Sequence, residues 1–226
     1  MTAIPTPAPA DTATRHATPH LGVRTVAGDP SILVSELTAA DLERIEVGLD
    51  LEQATSSLAR YTAWLRRQVC AWTVVGLPAV SVAALDWPLA SVRPQCLDVI
   101  GLILTDLREL SPGTRPGIVP AQPGHYLAPP GVMVAAALLC LDVARRCAPL
   151  LPGATALSAS RTAQGTGTRY LARCADLAER AAGAEREIRD WSALAAPEQV
   201  EHAVTAGRRF TARLADALDT GRRTGW

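Results

Sequence analysis

The stretch LEQATSSLARYTAWLRRQVCAWTVV, Leu51 to Val75, decides the fold class. Val47, Leu51, Ala54, Leu58, Tyr61, Leu65, Val69 and Trp72 follow one another at intervals of three or four residues, which places all eight on one face of a helix. Glu52, Ser56, Arg60, Arg66 and Arg67 fall off that face. The spacing predicts one continuous helix over 51–75, about 37 Å long, whose apolar stripe needs partner helices to cover it.

Just upstream, Leu42, Ile45 and Leu49 lie on another face, and the change coincides with Gly48, Leu49 and Asp50. A short helix from Ala39 to Val47, capped by Thr38, therefore precedes a turn. Asp50 with Gln53 three residues on has the form of a capping box for the long helix.

Composition narrows the function classes. Of the 226 residues 48% are apolar but only 4% aromatic, with a single Phe, so the core is filled by Leu, Val and Ala, which suits close helix packing better than a β-sandwich. All 22 basic residues are Arg, the usage of a high-GC bacterial coding sequence. Without Lys the chain cannot be a Schiff-base or pyridoxal-phosphate enzyme, a P-loop NTPase or a protein kinase. The 22 acids balance the arginines, so there is no general pull towards nucleic acid or an anionic membrane. Cysteines 70, 96, 140, 147 and 174 contain no CxxC pair and sit in apolar company, which reads as reduced core residues of a cytoplasmic protein.

Along the chain, residues 1–20 are rich in Pro, Ala and Thr and read as a disordered tail, and 21–226 as a single α-helical domain. Val23–Val26 and Ile32–Val34 flank a turn signal and could pair as a small hairpin. Residues 68–85 carry no charge, the minimum length for a membrane span, but Gly76 and Pro78 interrupt them, so a buried segment is expected. A helix is predicted from Pro94 to Leu110, with Leu97, Ile100, Leu104 and Leu107 inward. The loop 111–130 holds six Pro and three Gly, too many for a helix to continue. Pro130 or Gly131 opens the most apolar helix, Val132 to Ala148, with Asp142 and Arg146 spaced as an ion pair.

Residues 150–168 read as loose. Then Tyr170, Cys174, Leu177, Ala181, Ala184, Ile188 and Trp191 keep a strict heptad, with Asp176 and Arg180, and Glu185 and Arg189, as outer pairs. After Pro197, the residues Val200, Ala203, Gly207, Phe210, Leu214 and Leu218 repeat the pattern. Two such helices joined by a short turn predict an antiparallel helical hairpin over 168–220. The fold expected is all-α: a bundle of five to six helices with a disordered N-terminal tail and a Pro-rich central loop.

Candidate ligand-binding residues are few. Gly165 and Gly167 precede a helix start and stand near Arg161 and Arg169, a combination that could hold a phosphate or carboxylate. His125 and Tyr126 sit in the Pro-rich loop, where a recognition role is conceivable. Asp98 and Asp106, acids on an apolar helix, are the carboxylates to inspect for a raised pKa, or else for a capping role. No metal site, no catalytic residue set and no cofactor motif can be picked out. The function expected is a non-enzymatic helical interaction or regulatory protein whose partner is another protein or a second copy of itself, as a homodimer. The alternatives are a small-molecule-binding or catalytic bundle with a pocket under the 111–130 loop, and a DNA-binding regulator with a helix-turn-helix at 39–60. The nucleic-acid signal is not strong, and a membrane partner could act only through 68–85.

Overall fold

The computed structural model describes residues 39–76, 89–90, 98–111, 128–160 and 167–224. The tail 1–20, the 23–34 hairpin, residues 77–85 of the uncharged segment, Pro94 to Leu97, Cys96 and most of the 111–130 loop lie outside them. All regular structure among the described residues is helical: α1 (Ala39–Leu49), α2 (Leu51–Ala54), α3 (Leu58–Val75), α4 (Val99–Leu110), α5 (Pro130–Cys147), α6 (Leu151–Ala159), α7 (Arg169–Leu194) and α8 (Pro197–Thr224), with a 3₁₀ turn at Ala148–Leu150. Six of these helices have eleven residues or more and form the bundle, as the periodicity predicts. No described helix is long and apolar enough to cross a membrane.

The centre is α5. Pro130 stands in its first turn, where the missing N–H costs nothing, and twelve of its eighteen residues are buried. A helix apolar on almost every side can accept neighbours all round. α7 and α8 both pack along it, α8 also covers α3 and α1, and α4 bridges α3 to α7. Close approach of α8 requires Gly131: a Cβ there would overlap the carbonyl oxygen of Gln199, and the Gly131 N–H donates to Gln199 Oε1 at 3.2 Å.

The two helices of the expected hairpin pack chiefly on other elements. Only Ala195 and Ala196 separate α7 from α8, and near this turn Trp191 packs against Ala203. Along the rest of their length the two helices face other partners, above all α5. The heptad stripes are real, with Tyr170 through Ile188 and Ala203 through Leu218 buried, but α5, together with α4 for α7 and with α1 and α3 for α8, buries them rather than the sister helix.

The deciding stretch is also not one helix. It breaks at Thr55–Ser57, where the Ser56 hydroxyl donates to the Gln53 carbonyl at 2.9 Å and the Ser57 hydroxyl caps α3 by accepting the Arg60 N–H at 3.2 Å. Three consecutive hydroxyl residues offer the backbone local alternatives to the helical ladder, and here they win. The turn at Asp50 is present, but as a left-handed residue (φ 50°) whose side chain caps nothing. Its carboxylate instead accepts from Arg67 at 3.3 Å, while Gln53 Oε1 accepts from Arg60, so the capping box does not form. Val47 leaves the stripe as well: α1 runs on to Leu49, burying Ile45 and Leu49 and turning Val47 outward, 51% exposed.

Elsewhere the ends shift for local reasons. α4 starts behind Asp98, whose carboxylate accepts the Gly101 N–H at 3.0 Å. Residues 151–159, expected loose, are helical because Pro152 falls in the first turn, where proline fits, and Gly153 lets Thr55 sit against it. Asp142 and Arg146 pair at 3.1 Å, and Arg146 reaches Glu46 of α1 at 2.7 Å. Asp176 and Arg180 pair at 2.8 Å, whereas Glu185 pairs with Arg145 of α5 and not with Arg189.

Candidate functional site

The richest polar junction is the start of α7, where two of the sequence candidates stand. Gly167 has φ 96°, a left-handed conformation that favours glycine, and a side chain there would come within 2.6 Å of Leu110. Its carbonyl accepts the Tyr61 hydroxyl of α3 at 3.1 Å. The next turn exposes the N–H groups of Arg169 and Tyr170, and both donate to the Asp106 carboxylate of α4, at 2.8 and 2.9 Å. The Arg169 guanidinium meets Glu109, one turn further along α4, at 2.7 Å.

Asp106 is fully buried. Burial pushes its carboxyl up to about 6, against the downward pull of the Tyr170 and Arg169 N–H donors. The helix start that the sequence offers to an external anion thus holds an internal one. Thr168, at the capping position, makes no side-chain capping bond, and Asp106 takes over that task from 62 residues away. Arg161 and Gly165 lie outside the described residues, as do His125 and Tyr126.

Beneath this junction is an aromatic layer. Tyr61 stacks on Trp64 and Trp64 tilts against Tyr170, each pair with ring centres 6.1 Å apart. The Trp64 indole N–H donates to the Leu49 carbonyl at 2.6 Å, tying α3 to the end of α1. The buried thiols of Cys147 and Cys174 lie beside Tyr170, and burial pushes Cys174 up to about 12 and Cys147 well above its ordinary value. A thiol held protonated is a poor nucleophile and a poor metal ligand, so these cysteines act as packing residues. No group of three or more His, Cys, Asp or Glu among the described residues could hold a metal ion.

Several depressions mark the surface of the described residues, three of which bear on function. One of about 220 Å³ lies between α3 and the end of α8, with Cys70, Val74, Ala217 and Leu218 as apolar wall and Arg67 and Asp216 at the rim. Val74 is 56% exposed there. A second, of about 300 Å³, is walled by Leu58, Thr62, Arg66, Leu110 and Ser111, the first residue of the Pro-rich loop. The third, of about 50 Å³, lies over α5 between Leu42, Leu138, Asp142 and Glu185. In the helix-turn-helix reading, the helix after Asp50 is a single turn, Leu51–Ala54, and its outer residues Glu52 and Gln53 carry no positive charge.

Sequence reasoning singled out Asp106 from its position on an apolar helix, and Gly167 with Arg169 from their place at a helix start. It missed that these three belong together. It also missed the Tyr61 hydroxyl, which in the sequence is one more member of an apolar stripe. No protein-family model, curated protein or solved structure matches the chain.

Proposed function

We propose that the chain is a non-enzymatic interaction protein that works through its helical surface and associates with a second copy of itself. The observation that carries this reading is the groove between α3 and α8, an apolar wall with Val74 56% exposed and charges confined to its rim. An apolar floor with a polar rim is the usual anatomy of a protein-binding patch. The polar groups at the start of α7, by contrast, are engaged in joining α3, α4 and α7, which leaves the outer surface as the place for recognition. The cysteines at 70, 147 and 174 are free thiols, which supports a reducing, cytoplasmic setting.

Cys70 provides the test, because it is half-buried on the wall of the groove while the other described cysteines are buried. Its alkylation by a maleimide, followed by peptide mass mapping, slows as protein concentration rises if the groove is an interface. An alkylation rate independent of concentration contradicts the reading.

A second reading, a small-molecule-binding bundle, draws on the depression of about 300 Å³ that ends at Ser111. It predicts that some member of a metabolite panel raises the melting temperature of the wild type and not of Thr62→Trp, which fills that depression. If no member does so, this reading fails.

A further inference from the structure

Two residues on different helices, each carrying a buried polar group, wall one small cavity. Trp72 of α3 is 1% exposed and Tyr170 of α7 is 3% exposed. The Trp72 indole N–H has no hydrogen-bond partner among the described residues, and the Tyr170 hydroxyl meets no nitrogen or oxygen but the thiols of Cys174 and Cys147. Both side chains wall a cavity of about 10 Å³, completed mainly by Val99, Leu102, Cys140 and Cys174. Thiols are weak hydrogen-bond partners, and the rest of this wall is apolar.

Size and chemistry together select the ligand. A cavity of this volume admits about one water molecule and nothing larger. Apolar walls do not suit a bare ion, whereas a buried indole N–H and a buried phenol both gain from a neutral partner that can accept and donate. Arg173 stands at the edge, half-exposed and turned towards Asp176 at 3.4 Å, so its charge has a partner elsewhere. Water can bridge two protein groups with nearly the enthalpy of a direct bond.

We propose that this cavity is a binding site for a single internal water, which accepts from the Trp72 indole N–H and shares a hydrogen bond with the Tyr170 hydroxyl, joining α3 to α7. The site lies one aromatic layer below the Asp106 junction. Through Tyr170, whose backbone N–H bonds Asp106 of α4 while its side chain meets the water, the α4–α7 link and the α3–α7 link share one residue.

The experiment is a water-selective nuclear Overhauser measurement on the full chain, read at the Trp72 indole proton and assigned by its disappearance in Trp72→Phe. The expected result is a cross-peak of the negative sign that marks a water resident for longer than about a nanosecond, lost in Ala144→Val. That variant fills the cavity from α5 and keeps both polar groups, so a peak relayed by the exchanging Tyr170 hydroxyl would survive in it. Absence of the cross-peak in the wild type, or its persistence in Ala144→Val, overturns the proposal.

Discussion

Asp106 accepts the backbone N–H of Tyr170 at 2.9 Å from 64 residues away, so the start of α7 is capped by a residue of α4 and not by its own flanking sequence. A local cap fixes one helix. A distant one also fixes how two helices meet, because the same carboxylate cannot cap α7 unless α4 is docked. Asp106→Ala therefore removes a cap and leaves two buried N–H groups without an acceptor. The expected loss is about 2–4 kcal/mol, with Asp106→Asn losing less because it keeps one acceptor oxygen. Urea unfolding of the three proteins checks the order, and an alanine variant as stable as wild type would contradict the cap.

The same carboxyl has a pH signature opposite to that of an ordinary salt-bridged acid. Its folded value of about 6 lies above the ordinary 3.8, so between those values the native state holds a proton that the unfolded chain releases. Stability attributable to Asp106 consequently rises as pH falls from about 6 to about 4. The gain is about 3 kcal/mol when complete. Asp106→Asn cannot titrate, so the difference in unfolding free energy between wild type and Asp106→Asn should shift in favour of wild type across that window. A shift in the opposite direction would mean that the two N–H donors outweigh burial.

Gln68 is 1% exposed on α3, one turn from Trp64 and one from Trp72, and neither end of its amide has a hydrogen-bond partner among the described residues. A buried amide without partners costs about 1–3 kcal/mol relative to an apolar group of similar shape. Gln68→Met, which nearly conserves volume, should stabilise the protein by about 1–2 kcal/mol. A lower melting temperature would show that the amide has a partner in solution.

Two glycines in helices should respond to alanine with opposite signs. At Gly131 the new methyl would meet the Gln199 backbone and push α5 from α8, for a loss of about 2–4 kcal/mol. At Gly183, on the exposed side of α7, nothing lies within 4 Å, and the better helix propensity of alanine should add about 0.5–1 kcal/mol. Thermal unfolding of both variants tests whether α8 lies on α5 as closely as Gly131 requires.

The residues whose meaning is local were legible in sequence. The heptad from Tyr170 to Ile188, the apolar run of α5 and the turn at Asp50 each depend on near neighbours, and each is present. What escaped depends on partners far along the chain. Nothing in the spacing of α7 and α8 says that α5, and not each helix for the other, will bury their stripes. The break at Thr55–Ser57 was masked by a periodicity that continues across it, since Ala54 and Leu58 are both inward-leaning positions while the hydroxyls between them form their own local bonds. At the candidate site, Asp106, Gly167 and Arg169 each drew notice singly. Their union needed the docking of α4 on α7.

The reading of the chain as a self-associating interaction protein is tested most directly by its mass in solution. Light scattering on the purified protein, over a range of concentrations, should give twice the 23.8 kDa of the chain, returning to the single-chain value in Val74→Asp. A wild-type mass that stays at 23.8 kDa up to high concentration would contradict self-association and move the search to the depression that ends at Ser111.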